Sequence, residues 1–139
     1  MYTSKTPQLL KALAKDLVWN MPRTESKVYL TFDDGPTPGV TDKVLDLLGE
    51  FNAKATFFCV GRMVEESGEL LHRIKTEGHS LGNHTMNHES GWNTSNFSYL
   101  RSALGCAELV QSNLFRPPYG RITKSQAKAL NSRNQIVMW

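Results

Sequence analysis

Apolar residues along this chain alternate between two periods, recurring every third or fourth position in some stretches and bunching into short unbroken runs in others. Leu9, Leu10, Leu13 and Leu17 follow Thr6 and Pro7, a helix-start signal, and predict an amphipathic helix on the outside of the main fold. Pro22 and its polar neighbours end it. Residues 28–32 (Val-Tyr-Leu-Thr-Phe) form a β-rich run cut off by Asp33, Asp34, Gly35, Pro36, Thr37, Pro38 and Gly39. A helix capped by Thr41 follows, with Val44, Leu45, Leu48 and Phe51 on one face. Residues 55–60 predict a buried strand, and 63–76 a helix with Leu70, Leu71 and Ile74 inward, stopped by Gly78. A short strand over 79–83 leads into a polar loop. Residues 97–112 predict a helix with Leu100, Ala103, Leu104 and Ala107 as its stripe. Leu114 and Phe115 make a brief strand, 125–130 a last helix, and 135–139 a final strand.

Strand and helix alternating at this spacing predict an α/β fold, a parallel sheet with helices outside, either open or part of a barrel. The chain has 139 residues, enough for one domain with a real core but short of the ~250 residues of a complete barrel. Its 16 basic residues against 13 acidic ones are scattered, with no basic block or aromatic-interleaved stripe, so no nucleic-acid partner is expected. No run is long enough to span a membrane. Lys11, Lys15 and Asp16 interrupt any signal-peptide core, which leaves the compartment open between the cytoplasm and export as part of a longer exported or surface protein. Cys59 in an apolar run and Cys106 on a helix face read as two buried free thiols.

Parallel α/β folds collect their chemistry where strands end and loops begin, and the unusual residues here fall in those places. Asp33 and Asp34 follow directly on a strand, where paired carboxylates taken alone read first as a turn. His84 and His88 are four apart, so one helical turn would put both imidazoles on one face, as two ligands of one metal require. His79 has no partner at ligand spacing and reads as structural, and His72 reads as a surface residue. In Arg116-Pro117-Pro118-Tyr119-Gly120, two prolines and a glycine stiffen a loop. Its arginine is either a surface charge on a rigid turn or a group held towards a carboxylate. Trp92 and Tyr119 are aromatic rings in polar loops and candidate stacking faces for a ligand, and Trp92 reads equally as packing.

Taken in order, Thr31-Phe32-Asp33-Asp34-Gly35-Pro36, His84-Thr85-Met86-Asn87-His88 and Arg116-Pro117-Pro118-Tyr119-Gly120 resemble the first three motifs of the NodB-like polysaccharide deacetylases, the family-four carbohydrate esterases. The resemblance implies a distorted parallel (β/α) barrel over residues 23–139, incomplete at the C-terminus, behind an N-terminal helical extension of residues 1–22. It implies hydrolysis of acetyl groups on N-acetylated or O-acetylated polysaccharide such as peptidoglycan or chitin-like glycans. It implies Asp34, His84 and His88 as the ligands of a divalent ion, zinc first, with cobalt, nickel or manganese as other occupants. Asp33 would be the general base, Arg116 its ion-pair partner, and the Tyr119 N–H an oxyanion donor, with Pro117, Pro118 and Tyr119 against the substrate. The family continues past the strand matching residues 135–139 with a motif bearing aspartate and tryptophan and a late catalytic histidine, neither of which this sequence contains. A weak catalyst, or a remnant that only binds metal or glycan, is the alternative expectation. The strand at 135–139 would then have a bare edge and invite self-association.

Overall fold

The structure, a computed structural model, describes residues 16–22, 24 and 26–139. The helix expected from the leucine repeat beginning at Leu9 therefore lies almost wholly outside the described residues. Of its stripe only Leu17 is described, and it packs against one of the two core clusters.

Five strands make one parallel sheet in sequential order: β1 (Leu30–Asp33), β2 (Ala55–Cys59), β3 (Ser80–Asn83), β4 (Leu114–Phe115) and β5 (Gln135–Ile136). Phe32 stands opposite Phe57, Cys59 opposite Asn83, Asn83 opposite Phe115, and Phe115 opposite Ile136. The helices are α1 (Thr41–Glu50), α2 (Gly61–Glu66), α3 (Gly68–Thr76), α4 (Asn96–Val110) and α5 (Lys124–Asn131). The α/β architecture expected from the alternating periods is thus present, with every strand carboxyl end on one rim.

The core is built in two patches. Leu45 and Leu48 of α1, Val64 of α2, Ile74 of α3, and Cys106 and Val110 of α4 meet Phe57, Cys59 and Leu81 of the sheet. Tyr99 and Ala103 of α4 and Leu130 of α5 meet Phe115, Ile136 and Met138. Both cysteines are free and buried, as expected. Burial, reinforced by Cys106, pushes the Cys59 thiol up to about 12, and burial pushes Cys106 up to about 11.

Several local expectations are corrected. Thr41 does not cap α1 but is its first residue, and its hydroxyl accepts from the Thr37 N–H at 2.8 Å while Asp42 accepts from the Gly39 N–H at 2.8 Å. Phe51, expected inward, sits just past the helix and is exposed. The single helix expected over 63–76 is two, because Ser67 leaves the helical region and the weak helix formers Ser67 and Gly68 sit at the break. On α4 the buried line is Tyr99, Ser102, Ala103, Cys106 and Val110, one position away from the expected leucine stripe, and Leu104 faces outward. Tyr99 and Cys106 supply the bulk that the pattern assigned to leucines. Ser95 caps this helix by accepting from the Ser98 N–H, and a reciprocal Thr123–Gln126 capping box starts α5.

The final strand is shorter than expected, and its outer edge is not bare. Val18 pairs with Val137 in parallel, its N–H donating to Ile136 O and its carbonyl accepting from the Met138 N–H, both at 2.8 Å. The hydrophobic reading saw only a helix in the N-terminal segment and missed that its end runs beside β5. The exposed apolar edge lies instead at the other side of the sheet, where Val28, Tyr29 and Leu30 face solvent.

Candidate metal centre and cleft

The backbone at the end of β1 separates the two aspartates. Asp33 closes the strand in extended conformation, whereas Asp34 adopts a left-handed φ of 72°. Asp and Asn are among the few non-glycine residues that tolerate this region. As a result the carboxylates face different partners. Asp33 Oδ1 accepts from Arg116 Nη1 at 2.8 Å, and Asp34 Oδ1 lies 3.3 Å from His84 Nε2 and 3.0 Å from His88 Nε2.

Arg116 follows β4 and is almost fully buried, with only 4% of its surface exposed. Its guanidinium also donates to Thr31 Oγ1 at 2.9 Å and lies over the Phe58 ring, 4.1 Å from the centroid. This long planar fork lies against a carboxylate, a hydroxyl and an aromatic face at once, which a surface arginine on a rigid turn would not do. Of the two readings left open by the sequence, the structure takes the carboxylate-facing one.

His84 and His88 converge by a route that the spacing did not predict. They are not on a helical turn. Thr85 and His88 both take positive φ, 64° and 59°, and the chain folds back on itself between them. Thr85 is buried and donates its N–H to Asn83 Oδ1 at 2.8 Å, while Asn83 Nδ2 donates to Ala103 O. Glu89 completes the clamp: its carboxylate accepts from Ser102 Oγ at 2.7 Å and from Asn87, and Ser102 Oγ accepts from the Met86 N–H at 2.8 Å. Burial works to raise the Glu89 carboxyl, but these hydrogen bonds outweigh it and hold it below the usual range. Asn83, Glu89 and Ser102 were absent from the sequence reading. Only the position of Glu89 and Asn83 next to the histidines hinted at them, and Ser102 gave no signal.

His84 is buried, and its Nδ1–H donates to Arg116 O at 2.6 Å, which turns the Nε2 lone pair towards Asp34. Burial lowers the His84 pKa, opposed by the Asp33 charge and the Arg116 carbonyl, which favours the neutral form that binds cations. One ligand atom each from Asp34, His84 and His88 lies within 4.8 Å of the others. A carboxylate oxygen and two imidazole nitrogens, one with its tautomer fixed from behind, fit a divalent cation. Among the described residues, Asp34, His84 and His88 are the group of this kind.

Pro117 and Pro118 are buried, and Tyr119 takes φ 58° in a turn closed by Gly120 N–H to Pro117 O at 3.0 Å. The Tyr119 ring stands 4.6 Å from His88 and is 58% exposed. The remaining histidines are elsewhere. His79 is buried before the start of β3, where Nδ1 accepts from the Ala55 N–H, and His72 is exposed on α3.

Residues 20–135 match the polysaccharide deacetylase family, and the chain belongs to it. A peptidoglycan-N-acetylglucosamine deacetylase of Bacillus cereus is 38% identical over 129 residues, covering 88% of this chain and 61% of the relative. A chitooligosaccharide deacetylase of Azorhizobium caulinodans is 36% identical over 105 residues, covering 70% of this chain and 50% of the relative. Among solved structures, the Bc1960 peptidoglycan N-acetylglucosamine deacetylase superimposes with a TM-score of 0.89 at 33% identity, over 96% of this chain and 65% of that one. The chain thus spans 61% of the length of the Bacillus cereus relative. These relatives are carbohydrate deacetylases, and the expected barrel-type α/β fold is the one this chain shares with them. Among the described residues no helix is long and apolar enough to cross a membrane.

Proposed function

We propose that the chain is the metal-binding core of a hydrolase that removes acetyl groups from N-acetylated, or O-acetylated, polysaccharide of the peptidoglycan or chitin type. The observation that carries this is the convergence of Asp34, His84 and His88 beside a separately held Asp33–Arg116 pair. A divalent ion held by those three residues, with zinc preferred and cobalt, nickel or manganese as alternatives, would supply Lewis acidity and an acidified water. Asp33 is the base, taking the proton from the water that attacks the acetyl carbonyl carbon. Arg116 keeps the Asp33 carboxylate oriented through its 2.8 Å hydrogen bond. The stiff Pro117–Pro118 turn presents the Tyr119 N–H to the oxygen on which negative charge develops, a donor already fixed before reaction. Pro117, Pro118 and Tyr119 form one wall for the sugar.

A second reading, a chain that holds metal and glycan but turns over slowly, is favoured by one observation. Among the described residues, the histidines outside the cluster, His72 and His79, lie away from this rim, so neither imidazole is available to protonate the leaving nitrogen. Acetate release from a chitin oligomer and from a peptidoglycan strand, with and without chelator, separates the two. Replacing His84 or His88 with Ala should abolish stoichiometric metal after dialysis, whereas Asp33→Asn should keep the metal and lose ~10²–10⁴ in rate. Unchanged metal content in both histidine variants would sink the ligand assignment. Equal metal loss in Asp33→Asn and Asp34→Asn would show the aspartate roles to be reversed.

A further inference from the structure

Beside the Asp34–His84–His88 cluster, the exposed side chains of Trp92 and Arg121 have no part in the chemistry above, and they continue outward from the Tyr119 ring. Trp92 is 65% exposed and Tyr119 58%, and the guanidinium of Arg121 lies between them, 5.3 Å from the Trp92 ring and 5.9 Å from the Tyr119 ring. Tyr119 in turn stands 4.6 Å from His88. The contacts therefore form one row leading away from the metal cluster: His88, Tyr119, Arg121, Trp92. Single exposed aromatics are ordinary, but two joined through a cation in a row that begins at a candidate active site are a surface shaped for a ligand.

The row stands on stiff backbone. The Gly91 N–H donates to Arg121 O at 3.0 Å, lashing the two loops together. Fully buried Gln126 donates to Gly91 O at 2.9 Å and to Thr94 O at 3.3 Å, and accepts from the Thr123 N–H at 3.0 Å. A Cβ on Gly91 would stand 2.6 Å from Arg121 O, so glycine is what permits the approach. The backbone that carries Trp92 and Arg121 is thus set by these hydrogen bonds rather than by the weak contact between the two side chains. Among the described residues no carboxylate lies within ion-pair distance of Arg121.

We infer that Trp92 and Arg121, continuing outward from the Tyr119 wall, form a subsite for a sugar neighbouring the one deacetylated, and that Arg121 selects glycans carrying carboxylates over neutral ones. The aromatic faces offer stacking surfaces to pyranose rings of either kind. The guanidinium offers two parallel N–H donors to a carboxylate and nothing comparable to a neutral sugar. Peptidoglycan strands, with a lactyl carboxylate on alternate sugars, belong to the favoured class; chitin oligomers do not. This inference rests on reading the neighbouring cluster as a deacetylase site, which makes the two separately testable.

The test measures binding of the 139-residue chain to a peptidoglycan-strand tetrasaccharide, to the same compound with its carboxylates amidated, and to chitotetraose, by calorimetry and tryptophan fluorescence. Acetate release is followed in parallel. The acidic tetrasaccharide should bind about tenfold more tightly than its amidated form, the scale of one charge-assisted bidentate contact. The preference should shrink as salt rises to about 0.5 M, because an exposed contact is screened. Arg121→Gln should erase the preference, Arg121→Lys should keep part of it, and Trp92→Ala should weaken all three ligands. Equal affinity for the acidic and amidated forms, or an Arg121→Gln chain that still prefers the acid, overturns the inference. Acetate release without charge preference overturns the inference alone, and charge-selective binding without acetate release from any ligand supports it while counting against the catalytic reading.

Discussion

Replacing Arg116 with methionine removes a nearly buried charge but keeps most of its packing volume over Phe58. The wild-type guanidinium donates to Asp33 at 2.8 Å and to Thr31 at 2.9 Å. Deleting one partner of a buried pair costs ~3–5 kcal/mol, because the remaining charge is stranded. Asp33 retains 28% side-chain exposure, so water recovers part of that, leaving a loss of about 2–3 kcal/mol. For a domain of this size the melting temperature should fall by roughly 6–15 °C. Asp33→Asn should cost less, since Arg116 keeps Thr31 and the Phe58 face. In the double variant no charge is stranded, so its loss should be smaller than the sum of the singles by about 1–2 kcal/mol. Urea unfolding followed by far-ultraviolet circular dichroism at neutral pH gives all four corners of the cycle. Additivity within ~0.5 kcal/mol, or a loss below ~1 kcal/mol for Arg116→Met, would show that the pair is not energetically coupled.

Gly82→Ala should destabilise by ~1–3 kcal/mol, because the added Cβ would stand 2.3 Å from the buried Phe58 ring; adding Phe58→Leu should restore part of the loss. His79 accepts from the Ala55 N–H through Nδ1, and burial lowers its pKa. The folded chain therefore binds that proton less readily than the unfolded chain. Stability is complete above the unfolded pKa of about 6.5 and is lost as pH falls below it. Urea midpoints at pH 8 and pH 5.5 should separate more for wild type than for His79→Gln, and equal separations would refute the assignment. Cys59 and Cys106, buried and held protonated, should react with an aromatic disulfide reagent at pH 8 only after unfolding; fast labelling of the native chain would contradict this. Glu89→Ala and Ser102→Ala should each loosen the His84–His88 turn and weaken cobalt binding measured by its visible spectrum, while Glu89→Gln, which keeps an acceptor for Ser102, should retain most of it.

Much of this was legible because strand and helix periods are local. The strand-end positions of Asp33, His84 and Arg116 followed from apolar runs stopping abruptly, and the three motifs carried the family. What failed were features set by tertiary geometry. Spacing alone made His84 and His88 a helical pair, but the buried Asn83 and half-buried Glu89 side chains hold a tighter turn that brings the same two rings together with positive φ at Thr85 and His88. The stripe on α4 was misjudged because Leu was weighted above Tyr and Cys, while the sheet surface selected Tyr99 and Cys106. Val18 was invisible as a sheet residue because one bridge leaves no period to detect. Arg121 drew no attention because nothing in a sequence shows which aromatics will flank a cation.

Arg116 meets the site through two chemically independent handles. Its backbone carbonyl receives the His84 Nδ1–H, and its side chain holds Asp33. Side-chain replacements therefore reach Asp33, Thr31 and Phe58 but leave the His84 contact in place, since every amino acid brings the same carbonyl to His84. A sliding of β4 along its neighbours would disturb both partners by the same displacement. The histidine's orientation and the aspartate's are in this way tied to a single coordinate, the seating of a two-residue strand, and thermal motion of that strand would move them in step rather than apart.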